Sequence, residues 1–396
     1  MTNRRLWIGN AIACIRVYFS MDFVIGPRLP APARAQGEIV VKPPPELPAE
    51  APSSPLTRLL PAAMLVATAG MMVFYLTSGS SATRNPMFMF FPVMMLGSLL
   101  GTMAVGGRGG SRTAELNRHR REYLGYLSAV DGDLADAVEQ QRLSMLWHYP
   151  ESTALWTIVG SRRMWERTPG EPEFGRTRVG TGSAPLSTPV VVPDLGPPET
   201  IDPVTATELR RMVEFRSAVP DIPLSVDLAE HTAIVIDGDE CAGRSLLRAL
   251  LCHLVVMHGP HHLRIAAVVN PFTAPEWDWL KWLPHHRHPH AVDDGGPARL
   301  IFYSLSAAES ALASCTGAHV VLVRDADAVT GSHHVVGPTT TTIALGKAVP
   351  SVADLHLVID DGLLLVKGAD DDEVMGRPDA MSAGQAVAVA RRLSRY

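Results

Sequence analysis

The chain has 396 residues and a formal net charge of −5, with 35 lysines and arginines against 40 aspartates and glutamates. Apolar residues make up 46% and charged residues 19%, and the mean hydropathy is +0.11. That composition excludes a wholly disordered chain, and its acidic balance excludes a general attraction to nucleic acid. Four scattered cysteines, Cys14, Cys241, Cys252 and Cys315, form no CxxC pair and exclude a disulfide scaffold.

Residues 1–26 resemble a secretory signal superficially, but Arg16 follows the apolar stretch and a proline-rich segment separates it from Ala33-Arg34-Ala35. The likeness is therefore discounted, and Met21 offers an alternative start. Between Pro27 and Pro55 nine prolines fall in 29 residues, the mark of an extended arm, so residues 1–58 read as a proline-rich cytosolic segment.

Two charge-free apolar runs follow, at residues 59–77 and 87–105. Nineteen helical residues span roughly 28 Å, close to one hydrocarbon layer, so residues 59–105 are expected to form a pair of transmembrane helices in contact with lipid. Arg28, Arg34, Lys42 and Arg58 precede the pair, and Arg108, Arg112, Arg118, Arg120 and Arg121 follow it. This places both termini in the cytoplasm and predicts a multi-pass chain of the plasma (inner) membrane. Gly97 and Gly101 read equally as a GxxxG face or as two incidental glycines of an apolar helix, and Pro92 is expected to kink the second run unless a neighbour satisfies the freed carbonyl.

Residues 106–150 open with paired glycines. Leu116, Tyr123, Leu127, Val130, Leu134, Val138 and Met145 then recur at threes, fours and sevens, which predicts one long stalk helix over 112–147. Residues 151–200 read as a β-rich segment and a connector dense in proline. Residues 201–396 alternate strand and helix patterns, which implies a parallel α/β sheet covered on both faces. Strands are expected at 231–236, 263–269, 299–303, 320–323, 341–345, 355–359 and 363–366, with helices at 246–257, 307–314 and 382–392.

The segment GDECAGRS, Gly238 to Ser245, fits a phosphate-binding loop at every position but the lysine, which Arg244 replaces. A forked guanidinium cannot repeat the compact ammonium's role, and Asp239 and Glu240 put negative charge beside the expected phosphates. A second apolar strand ends in Arg324-Asp325 without the adjacent glutamate of a working ATPase. The candidate cofactor residues are thus Gly238, Gly243, Arg244, Ser245 and Asp325, forming a degenerate site for ATP and magnesium, with no catalytic set. The histidines at 258, 261, 262, 285, 286, 288 and 290 lack the spacing of a closed metal site. The run WDWLKWLPH reads as a packed aromatic plug.

The segments HYPESTALWTIVGSRRMWERTPGEPEFGRTRVGTG, RSLLRALLCHLVVMHGPHHLRI and WDWLKWLPHHRH together resemble the N-terminal region of EccC, the FtsK/SpoIIIE-type ATPase of type VII (ESX) secretion systems. The resemblance implies a component that joins partner proteins of a membrane core complex and helps to export helical-hairpin WXG/PE-type substrates. In that family three P-loop modules follow this region, so motor modules are expected from another chain. The whole then reads as a two-helix transmembrane hairpin, a helical stalk and a degenerate P-loop ATPase-like domain on a parallel sheet.

Overall fold

The computed structural model describes residues 27–47, 55–77, 108–195, 197, 199–325, 339–346, 353–368 and 372–396, with isolated positions at 90, 94, 97 and 98. Its helices are α1 (Pro55–Thr77), α2 (Arg108–His148), α3 (Pro203–Arg216), α4 (Glu240–Met257), α5 (Leu305–Leu312) and α6 (Ala383–Leu393), with shorter helical turns between them. The described chain forms two compact units. One holds residues 137–187 and 218–396 with the start of the chain, and the other holds 37–136 and 188–217.

The first unit is built on a ten-stranded sheet. In chain order its strands, with those of two small sheets elsewhere, are β1 (Ile39–Val40), β2 (Arg176–Pro185), β3 (Val190–Val191), β4 (Ala218–Asp227), β5 (Ala233–Gly238), β6 (Leu263–Val269) and β7 (Arg287–Asp293). They continue with β8 (Gly296–Arg299), β9 (Ile301–Phe302), β10 (His319–Asp325), β11 (Thr340–Leu345), β12 (Leu355–Asp360), β13 (Leu363–Val366) and β14 (Glu373–Pro378). The spatial order is β4-β2-β14-β13-β12-β5-β11-β10-β6-β9. From β12 to β9 every pairing is parallel. From β12 outward to β4 every pairing is antiparallel.

The sheet is therefore mixed, which corrects the expectation of a parallel one. The parallel half was legible because its strands are buried on both faces. Ile265, Ala267 and Val269 of β6, with Val321 and Val323 of β10, belong to the same buried core as α4 and α6. The alternate residues Ala266, Val268, Val320 and Leu322 face α5. Such double burial selects near-continuous apolar runs. The antiparallel half instead carries Gly, Thr, Arg and Pro. At its centre Gly182 of β2 pairs with Gly376 of β14, and a Cβ on either would overlap backbone of the facing strand.

In the second unit α2 is laced into its surroundings. Tyr123 donates to the carbonyl of Lys42, and Tyr126 accepts from the Lys42 amide at 3.0 Å. β1 pairs with β3 in parallel. The helix is held by the proline-rich arm and by α3, so it does not stand off as a stalk. Asp202 caps α3 by accepting from the Thr205 amide, with Pro203 at the first helical position.

No helix among the described residues is long and apolar enough to cross a membrane, which overturns the transmembrane hairpin and the multi-pass membrane assignment. The first expected span lies within α1, whose apolar run is interrupted by Thr68 and Gly70. Thr68 is buried, and the Thr77 hydroxyl turns back to the carbonyl of Val73 at 2.8 Å. Nearly all of the second span, including Pro92 and Gly101, lies outside the described residues, as do residues 1–26.

Candidate functional site

The junction of β5 and α4 carries four of the five predicted site residues. β5 delivers Gly238 with φ +105°, a left-handed conformation that glycine adopts without strain. A Cβ there would also overlap the carbonyl of Ile359 on the adjacent β12. The chain does not open into a wide loop at this point. Asp239 is the N-cap of α4, its carboxylate accepting from the Ala242 amide at 2.7 Å, and helix begins at Glu240. The amide of Gly243 already donates to the Asp239 carbonyl at 2.8 Å.

The first turn of α4 therefore takes up residues 240–245, which the sequence places in a phosphate cradle. A cradle needs several backbone N–H groups converging on one empty point beside a helix N-terminus. Here the chain's own carboxylate holds that end of the helix. Gly243 lies in the first turn, packed 3.3 Å from Leu345 Cδ2 measured from an ideal Cβ.

Arg244 and Asp325 are brought together. Arg244 Nε donates to Asp325 Oδ2 at 2.8 Å and Nη2 to Oδ1 at 3.2 Å. The same guanidinium reaches Glu240 at 3.3 Å. The hydrogen bond to Asp325 chiefly, and the negative field with it, raises the guanidinium pKa further above its ordinary value. β11 lies between β5 and β10, so the pair bridges the C-terminal ends of two strands that are not neighbours.

The sequence missed the residues that close this site. The indole Nε1 of Trp277 donates to Asp325 Oδ2 at 2.8 Å, and the Thr273 hydroxyl donates to the Asp325 carbonyl at 2.5 Å. Trp277 is fully buried, in keeping with a packed plug, and its polar edge supplies the additional bond. Ser245, the expected magnesium ligand, is also engaged. Its hydroxyl donates to the carbonyl of Met381 at 3.2 Å and accepts from the Met381 amide at 3.1 Å.

The histidines are mostly satisfied core residues. His258 Nδ1 lies 2.9 Å from the Leu254 carbonyl, and its Nε2 accepts from the Gly175 amide at 3.1 Å. His286 bonds the Ile265 carbonyl, and His285 that of His258. Burial pushes the pKa of His258 down to about 3 and those of His285 and His286 down to about 4. Among the described residues no group of three potential ligands is placed to hold a metal ion.

No protein-family model matches the chain. It is 41% identical over 92% of its length to the ESX-4 secretion system protein EccC4 of Mycobacterium tuberculosis. It is 30% identical, again over 92%, to the ESX secretion system protein EccC of Thermomonospora curvata. It spans only 28% and 29% of these two relatives. Among solved structures, the cytoplasmic domain of the Thermomonospora curvata type VII secretion ATPase EccC aligns with 40% of this chain and 25% of that chain. The identity there is 13% and the TM-score 0.29, a likeness too slight to bear on fold or function.

Proposed function

Because the chain is a homologue of the EccC components of type VII (ESX) secretion, we propose that it serves as an assembly platform in such a system. In this reading residues 151–396 dock other secretion components and residues 106–150 connect. ATP-hydrolysing modules of the secretion system then act through the platform in the export of WXG/PE-type proteins.

The observation that carries this reading is the closed pair of Arg244 and Asp325. A nucleotide site needs a cation free to meet phosphate oxygens and a carboxylate free to hold magnesium through water. Here each satisfies the other, Trp277 takes a further lone pair of the carboxylate, and Asp239 occupies the helix N-terminus. The residues Gly238, Gly243, Arg244, Ser245 and Asp325 thus fit a structural joint better than a site for ATP and magnesium.

Titration of Mg-ATP into the full chain by calorimetry tests the reading. No binding heat is expected at millimolar nucleotide. Tight binding with turnover would overturn it in favour of an ATPase active in its own right. The platform role is read separately, by native-gel migration of the tagged chain from cells carrying neighbouring secretion genes. Co-migration with a large complex is expected, and a small, partner-free species would sink the role.

A further inference from the structure

The last turn of α2 ends on three successive carbonyls, those of Trp147, His148 and Tyr149, and each accepts from a different arginine. Arg163 Nη2 donates to the Trp147 carbonyl at 2.7 Å. Arg167 Nη2 donates to that of His148. Arg178 Nη1 donates to that of Tyr149 at 3.0 Å. The C-terminal carbonyls of a helix have no partner within it and carry the negative end of its dipole, so cations favour this position.

Two of the arginines also lie over the rings of the residues they bind. Arg163 is 4.0 Å from the Trp147 ring centroid and Arg167 is 5.3 Å from that of Tyr149. Arg163 is otherwise held within its own turn by Glu166, Nη2 to Oε1 at 2.7 Å, whereas the other contacts of Arg167 and Arg178 run to the sheet. Arg167 Nη1 donates to the carbonyl of Arg176, the first residue of β2, at 2.6 Å. Arg178 lies on β2 and meets Asp379 at 2.8 Å, in the segment that leads to α6. Arg167 is only 3% exposed and, among the described residues, pairs with no carboxylate. A buried cation held by carbonyls and a ring face, with no carboxylate, is costly unless those carbonyls need it.

We infer that these arginines form a coupling joint, in which Arg167 and Arg178 tie the end of α2 to β2 and the α6 segment and Arg163 clamps the same helix end to the turn that carries Arg167, so that these pieces turn as one body. A displacement of the last turn of α2 then passes into the sheet at this point and is not absorbed by fraying of that turn. Fraying is the ordinary behaviour of a helix end, because its last hydrogen bonds are the easiest to open.

Amide hydrogen exchange on the full chain tests the joint. Arg163→Gln, at a side chain that keeps some solvent contact, removes the charged hydrogen bond to the Trp147 carbonyl, the ring contact and the ion pair with Glu166. Exchange at residues 145–149 is expected to quicken about tenfold, while β6 and β10 keep their protection. Arg167→Lys can replace only one of the two carbonyl contacts and is expected to show a smaller change in the same residues. Unchanged exchange at 145–149 in both variants would overturn the joint. Equal acceleration in β6 and β10 would also overturn it, by making these arginines general supports of the core.

Discussion

Arg120 grips Asp202 with two nitrogens, Nη2 to Oδ1 at 2.6 Å and Nε to Oδ2 at 3.0 Å, while the same carboxylate caps α3 through the Thr205 amide. One side chain thus starts a helix and fastens it to α2. The Asp202 side chain is fully buried and that of Arg120 is partly exposed. Asp202→Ala removes both duties and is expected to destabilise the second unit by about 2 kcal/mol. Asp202→Asn keeps an acceptor for the cap and is expected to cost roughly half as much. Urea denaturation of both variants checks the order.

Acid should weaken the protein in two stages. His258, His285 and His286, and His253 with them, are held by burial below their ordinary pKa. The folded state therefore refuses protons that the unfolded state accepts. Their contribution is complete above the unfolded value near 6.5 and is lost as pH falls from there towards about 4 and about 3. At pH 5.5 unfolding should take up about three to four protons at these sites, read from the pH dependence of the denaturation midpoint. Asp202 and Asp131, whose arginine partners lower their pKa, stabilise above the ordinary carboxylate range. That share is lost only as pH falls further, through their depressed values.

Gly238→Ala places a methyl group against the Ile359 carbonyl at a positive φ. Strain and overlap act together, so a loss of about 3 kcal/mol or more is expected, with insoluble expression as the extreme outcome. Gly125→Ala, at an open position in the middle of α2, is the control. It should be neutral or stabilising by up to about 1 kcal/mol.

Restoring the lysine of a phosphate loop should not restore activity. Arg244→Lys leaves Asp239 capping α4 and Ser245 bonded to Met381. Phosphate release from ATP is expected to stay at background in a coupled assay, and robust hydrolysis would count against a structural site. Trp277→Phe keeps most of the buried ring and removes one bond to Asp325, so a loss of roughly 1 to 2 kcal/mol is expected.

The sequence revealed those parts of the fold where local pattern and final environment agree. Leu263–Val269 is apolar throughout because both of its faces are covered, and its bounds could be read directly. Leu363–Val366 was equally plain. The β2–β14 pairing was not, because partners nearly two hundred residues apart leave no local periodicity and Gly182 and Gly376 carry no side chains to pattern. The site failed for a different reason. GDECAGRS matches a loop motif letter by letter, yet Asp239 is also a good helix cap, and the cap won. Two long charge-free runs at 59–77 and 87–105 argued for a membrane pair, and a string of apolar letters does not by itself report what each helix packs against.

The place of β14 in the sheet has a consequence for the order in which the molecule can be made. β2 and β4 pair with each other early in the chain and pack on α4, but within the sheet their ribbon is hydrogen-bonded to the other strands only through β14, which follows them all in chain order among the described strands. Until residues 373–378 emerge, a finished parallel half and a waiting two-stranded ribbon coexist, each with an unpaired edge. The sheet is then completed by a late insertion, so its hydrogen-bonded ladder should close only after β14 has emerged.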